Sequence, residues 1–256
     1  MRTAALLVAG VLLCGVVVSG GEVVLTYYGH SCVTLQGEDG PVVMIDPYGT
    51  YVPHPGLPAA ADIVLMTHAH VDHCPPCYRE MDRVLGEDPF YFLALEPDGR
   101  ARDGRYNLDD RLSVKVIPAS HVNARGGGAG EVGMLRFEID GIVFAHLGDL
   151  GTLLDAAQMA ALRDVQIVFL PVGKQFTLDE AEAMTVIAQL PGVKVVFPIH
   201  YYVEGITPWT GMAPLSEFTS VASVMYPVIE IDDSWVTLDA DDLPASLEVW
   251  VLDYVE

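Results

Sequence analysis

Short apolar runs that stop on a histidine or an aspartate recur along this chain and restrict what it can fold into. "DIVLMT" (Asp62–Thr67) leads straight into "HAHVDH" (His68–His73), "VKVIPAS" into His121, "IVFAHLG" into Asp149, and "KVVFPI" into His200. Such runs, about 4–8 residues long and rich in β-branched and aliphatic side chains, read as buried strands. Pro75 and Pro76 then forbid further ladder pairing after the first of them. The polar residues are therefore expected on loops at the carboxyl ends of core strands, held by a rigid scaffold and open to solvent. Each ending by itself would be an ordinary loop residue. Four together are hard to dismiss.

The remaining pattern fills in the elements. "EVVLTYYG", "SCVTLQ", "PVVMIDP", "FYFLAL", "GMLRFEID" and "VQIVFLPVG" read as further strands, with "GEDG" (Gly37–Gly40) as a turn. Helices are fewer and later. Thr177, with Glu180 three residues on, looks like a capping box opening a helix that stops at Pro191–Gly192. Thr152–Asp164 and Pro214–Met225 are the other helical segments, and strands return at "VIEID", "SWVTLD" and "LEVWVLD". Many strands followed by strand–helix pairs predict a mixed α/β (α+β) fold, two packed sheets with helices outside. No repeat or linker marks an internal boundary.

Charge narrows the partners. Among 256 residues, 35 are acidic and 13 basic, a formal net charge of −22. Such a surface repels nucleic acid and anionic lipid, and no basic cluster counters it. A small-molecule substrate is expected, and no nucleic acid. The first 20 residues, with Arg2, an apolar stretch and small residues from Ser19 to Gly21, read as a cleaved secretory signal. The mature domain is then 21–256, exported to a periplasmic or extracellular setting with no later membrane span. A retained membrane anchor is the rival, and a lipoprotein reading at Cys14 is weakened by the bulky Leu13.

Zinc binds imidazole nitrogen and carboxylate oxygen, and a catalytic site keeps a position for water. His68 and His70, as alternate residues of an extended loop, can converge on one ion, with Asp72 and His73 turned to a neighbour. One ion cannot take all four groups without crowding, which points to two metals.

At these residues the chain resembles the metallo-β-lactamase-fold hydrolases, in particular the compact single-domain branch that includes ascorbate-phosphate lactonase. The resemblance runs from "YYGHSC" through "IDP", "THAHVDH", "SH", "HLGDLG" and "LPVGKQFTLDEAEA" to "PIHYY". It implies a four-layer αββα sandwich. It also implies one metal on His68, His70 and His121, a second on Asp72, His73 and His200, and Asp149 bridging them. The ions would be zinc, with manganese or iron as alternatives. Two ions sharing a water would lower its pKa towards neutrality and polarise the scissile oxygen. Asp72 would orient that nucleophile while holding its metal. The expected activity is cleavage of a small ester, lactone or phosphodiester. Alternatives are a β-lactamase-type amide hydrolase and a non-catalytic metal- or ligand-binding protein. Lys174 stands where related sequences usually carry a second glycine, and the stretch from Cys74 to Asp110 departs from the family pattern.

Smaller features carry narrower expectations. His30 reads as a neighbour of the metals or a substrate contact, with a buried structural histidine as the other reading. His146 reads as a support for the Asp149 loop. His54 reads as a pocket-rim or surface residue. Lys174, possibly with Arg125, is a candidate contact for an anionic substrate group or a plain loop lysine. Signal removal leaves three cysteines; Cys74 and Cys77 are expected to pair in an oxidising compartment, stiffening the loop behind the ligands and leaving Cys32 free. Reduced cysteines packed as small hydrophobes, or thiolate ligands, are the alternatives.

Overall fold

The computed structural model describes residues 20–54, 60–78 and 89–255. Nearly all of the segment read as a signal lies outside them. The described strands form two sheets. The first holds β1 (Val23–Gly29), β2 (Cys32–Gly37), β3 (Val43–Ile45), β4 (Ile63–Met66), β5 (Phe90–Leu93) and, at its other edge beside β1, β13 (Trp235–Leu238). The second holds β6 (Gly104–Asn107), β7 (Ser113–Ser120), β8 (Glu131–Ile139), β9 (Ile142–His146), β10 (Ile167–Pro171), β11 (Val195–Ile199), β14 (Glu248–Leu252) and β12 (Val228–Ile231), in that spatial order.

Period-two alternation sorts the first sheet into two apolar layers. Val33, Leu35, Val43, Ile45, Ile63 and Leu65 enter the main core, together with the buried residues of β7 to β11. Their neighbours Cys32, Met44, Val64 and Met66 point the other way, into a second cluster closed by Tyr48, Val52 and Cys74. In the second sheet β10 and β11 are buried at every residue, as expected for central parallel strands.

Three helices complete the described part: α1 (Ala156–Ala161), α2 (Glu180–Gln189) and α3 (Leu215–Ala222). Because β10 and β11 are parallel, α2 is their crossover, and it buries Ala183, Val186 and Ile187 in the main core. The capping box sits two residues later than the sequence suggested. Asp179 is the N-cap and Glu182 its partner, while the Thr177 hydroxyl accepts from the Gly173 backbone N–H at 3.0 Å and so serves the preceding loop. α1 is likewise shorter than expected, opening at Asp155 with a capping box to Gln158. β6 was not anticipated. Four residues at a sheet edge give too little alternation to recognise.

Strand direction brings the site together. β7 and β9 both run antiparallel to β8, and β9, β10 and β11 are mutually parallel. The carboxyl ends of β7, β9 and β11 therefore lie on one edge of the second sheet. β4 delivers the His68–His73 loop to the same place from the first sheet.

Candidate metal centre

Residue by residue, the predicted ligands stand just past strand ends. His68 lies two past β4, His121 follows β7 directly, Asp149 lies three past β9, and His200 follows β11 directly. The structure brings them together in two groups. His68, His70, His121 and Asp149 each place one ligand atom within 4.8 Å of the others, and His30, Asp72, His73 and His200 do the same. All are buried except His70, which is half-buried.

In the first group the Nδ1 of His70 lies 3.1 Å from the Nε2 of both His68 and His121. Asp149 Oδ2 stands 3.4 Å from His121 Nε2 and 3.7 Å from His68 Nε2. Four ligands about 2.0–2.1 Å from a tetrahedral zinc are about 3.3–3.4 Å apart, so these separations suit one ion. In the second group Asp72 Oδ2 lies 3.4 Å from His73 Nε2 and 3.7 Å from His200 Nε2. Asp149 faces both groups: its Oδ1 is 3.3 Å from His73 Nε2, and its Oδ2 is 3.2 Å from His200 Nε2. Yet His73 Nε2, His200 Nε2 and Asp149 Oδ1 are buried without a hydrogen-bond partner. Native interiors rarely tolerate such orphans, and a cation between them would satisfy all three.

Charge gives the same answer. Burial opposes the ionised forms of Asp72 and Asp149, yet both carboxyls are held well below the usual range, Asp72 chiefly by His73 and Asp149 chiefly by His200 and His73. Burial likewise pushes His200 down, but Asp149 and Asp72 outweigh it and raise its imidazole to about 9. Two buried carboxylates therefore require positive charge beside them, whether from imidazolium or from metal ions. His68 goes the opposite way, driven well below its ordinary value by burial and by His73, which leaves it in the neutral form a metal ligand needs.

Supporting groups fix the rings. His30 sits in the β1–β2 turn with φ 55°, and its Nε2 donates to the anionic Asp72 Oδ2 at 2.9 Å. Burial and His200 push its pKa down to about 4. Asp46, the aspartate of "IDP" and a residue with no role assigned from the sequence, is fully buried with φ 48°. Its carboxylate accepts from the Thr67 backbone N–H and hydroxyl at 2.7 Å and lies 2.9 Å from His73 Nδ1, which turns Nε2 towards the cluster. His146 supports the Asp149 loop as expected: Nε2 bonds to the Ser31 carbonyl at 3.0 Å, and the Gly148 N–H bonds to Nδ1 at 3.1 Å. Gly173, the glycine of "PVG", packs so closely on His200 that an added Cβ would lie 2.0 Å from its carbonyl oxygen.

Lys174 and Arg125 take the plainer of their readings, and His54 is corrected. Lys174 does not reach the cluster, because its Nζ is 3.1 Å from Glu217 and 3.7 Å from Glu180. Arg125 is paired with Asp179 and Glu182, each at 2.9 Å, and also donates to the Lys174 and Thr177 carbonyls. His54 is buried rather than on a rim or the surface. Its ring lies against Gly29, where an added Cβ would come within 2.4 Å, and packs edge-on to Tyr254. Cys74 and Cys77 are bonded, and Cys32 is free and buried.

A cleft of about 380 Å³ opens over the cluster, lined by His70, Asp72, His121, Asp149 and His200 and by Val71, Gly128, Ala129, Phe176 and Trp209. The two aromatic residues were not singled out in the sequence. They come from separate loops and leave no periodic signal.

Comparison with known proteins agrees with this geometry. Residues 24–200 match the family model of the β-lactamase superfamily domain. A UPF0173 metal-dependent hydrolase of Methanoregula boonei is 32% identical over 187 residues, covering 69% of this chain and 81% of the relative. Another, of Geobacillus thermodenitrificans, is 29% identical over 194 residues, covering 69% and 84%. A metallo-β-lactamase-superfamily protein of Thermotoga maritima superposes with a TM-score of 0.67 at 24% identity, covering 91% of this chain and 100% of its own. The metallo hydrolase Igni18 of Ignicoccus hospitalis superposes at 0.60 with 22% identity, covering 85% and 98%. These two superpositions establish a shared fold. A matched family model, a shared sandwich and two buried histidine–aspartate clusters at its strand ends identify the chain as a metal-dependent hydrolase of the metallo-β-lactamase superfamily.

Proposed function

We propose that the chain hydrolyses a small ester, lactone or phosphodiester at a dinuclear centre. In this reading His68, His70 and His121 hold one divalent ion, Asp72, His73 and His200 hold the other, and Asp149 reaches both. The observation that carries it is Asp149, whose two oxygens face both groups at 3.2–3.7 Å while Oδ1 lacks a hydrogen-bond partner. When bound, the ions supply Lewis acidity at the scissile oxygen and bring the pKa of a shared water towards neutrality. The chain's own residues do the rest. His30 holds Asp72 Oδ2 in place and keeps it ionised, leaving its other oxygen to orient the nucleophile. Asp46 fixes the His73 ring. Val71, Phe176 and Trp209 give the cleft an apolar part to its lining. The Cys74–Cys77 bond supports an exported protein, since disulfides persist in oxidising compartments.

Metal analysis together with a hydrolysis panel tests the proposal. The zinc- or manganese-loaded protein should retain two ions per chain, and alanine at His68, His70 or His121 should leave only the second site filled. It should also turn over at least one class among lactones, phosphodiesters and β-lactams. At most one ion per chain would overturn the dinuclear centre, and no turnover would overturn the hydrolytic reading.

A further inference from the structure

The cleft differs on its two sides. Its floor is the histidine–aspartate cluster, whereas one wall is aromatic. Trp209 stacks on His30 with ring centroids 5.8 Å apart and planes 27° apart, and Phe176 meets Trp209 edge-on at 6.2 Å. Tyr51 extends the wall outward at 5.7 Å from Trp209 and is 54% exposed. His30 in turn lies 4.2 Å, centroid to centroid, from His200. The wall therefore begins at the proposed ligands and runs out to solvent. Trp209 and Phe176 are only half-buried, which leaves ring surface available to a ligand.

No lysine or arginine among the described residues lines this cleft. The cations of the nearby loops are already neutralised, Lys174 by Glu217 and Glu180 and Arg125 by Asp179 and Glu182. The chain as a whole carries a formal charge of −22. Aromatic faces are the negative side of the ring quadrupole, and an anionic group pressed against them without a counter-charge loses its hydration for nothing. A cationic group, which such a face attracts, would be repelled by the divalent ions proposed beneath it.

We infer that the substrate's non-reacting portion is uncharged and apolar, and that the Trp209–Phe176 wall is the surface that receives it. This rests on the hydrolytic reading and narrows it to substrates with an uncharged aromatic or branched aliphatic side group. Trp209 sets specificity, while the cluster beneath it takes the scissile group whatever the side group is.

Three γ-lactones differing only in the side group, benzyl, carboxymethyl or aminoethyl, test this in hydrolysis. The matching γ-lactams, too inert to turn over, test it in binding by titration calorimetry. The benzyl compounds should be preferred by about tenfold in kcat/KM and in affinity, the scale of one good ring contact. Trp209→Ala should erase the preference and Trp209→Phe should keep most of it. Ala129 is exposed and lines the same cleft, so Ala129→Lys should supply the missing cation and raise affinity for the carboxymethyl lactam. Tighter binding or faster turnover of the carboxymethyl or aminoethyl compounds by the unaltered protein would overturn the inference, as would a benzyl preference that survives Trp209→Ala. Selective benzyl-lactam binding with no turnover of any class in the hydrolysis panel would sink the hydrolytic reading while leaving the ligand preference intact.

Discussion

Asp46 touches His73 Nδ1, the Thr67 N–H and the Thr67 hydroxyl with one carboxylate, and so ties the β3 end to the start of the ligand loop. Its φ of 48° lies in the left-handed region, which asparagine also tolerates. Asp46→Asn should therefore fold, but it presents a neutral amide to His73 in place of a carboxylate. Loss of such outer partners weakens metal binding by about 10–100-fold. Chelator competition should show this loss at the Asp72–His73–His200 site with little change at the other. Equal weakening at both sites, or none, would refute the role given to Asp46. The proposed ligands were legible because metal chemistry admits few residue types and each follows an apolar run. Asp46 was not, because its partner lies 27 residues away and a lone aspartate before a proline reads as a turn.

The segment after the ligand loop is a 3₁₀ turn, Pro75–Tyr78, and the Cys74–Cys77 bond spans it. Cys74 is buried against Met66 at the end of β4, so the bond anchors the loop to the strand that launches it. Closing so small a ring constrains the unfolded chain by only about 2 kcal/mol. The larger effect should be local. Cys74→Ser with Cys77→Ser should lower the melting temperature modestly while weakening metal binding at the His73 side several-fold. Both quantities can be read on one preparation by calorimetry and metal titration. Unchanged affinity would show that the bond serves general stability alone. At this scale the sequence placed the bond and almost every strand, since spacing and period-two alternation are local. It misplaced the cap of α2, because Thr177 and Asp179 both suit an N-cap and only the partner of the Thr177 hydroxyl, the Gly173 N–H, separates them.

Across the whole molecule, the proposed ligands come from both sheets, so bound ions would tie the two halves of the sandwich together. A ligand that binds only the folded state at 100 times its Kd adds about 2.7 kcal/mol, which for a chain of this size is about 5–10 °C in Tm. Chelation should lower Tm by at least that, and zinc should restore it. The chelated protein should also acquire a pH dependence. His200 is raised to about 9 from its ordinary 6.5, so the stability it contributes when protonated is complete below pH 6.5 and lost as pH rises to 9. Scanning calorimetry of the chelated protein should show Tm falling across that interval, and a flat profile would mean that His200 is not charged there.

The sequence by itself determined the two packed sheets and the candidate metal-ligating histidines and aspartates at their strand ends, because each is written in residue type and short spacing. The resemblance to a known family added the hydrolase class. A buried strand must be apolar, and a divalent ion must meet imidazole or carboxylate. Tertiary structure alone decided what surrounds that chemistry. Arg125 finds its carboxylates 54 and 57 residues away, Lys174 finds Glu217 43 residues away, and Trp209 stacks on a histidine from the opposite end of the chain. A long cation pairs with whichever opposite charge the fold brings within reach, and an aromatic ring packs on whichever face is left open. Neither choice has a local period, so only the folded chain shows that the cleft has an aromatic wall and no cation among the described residues that line it.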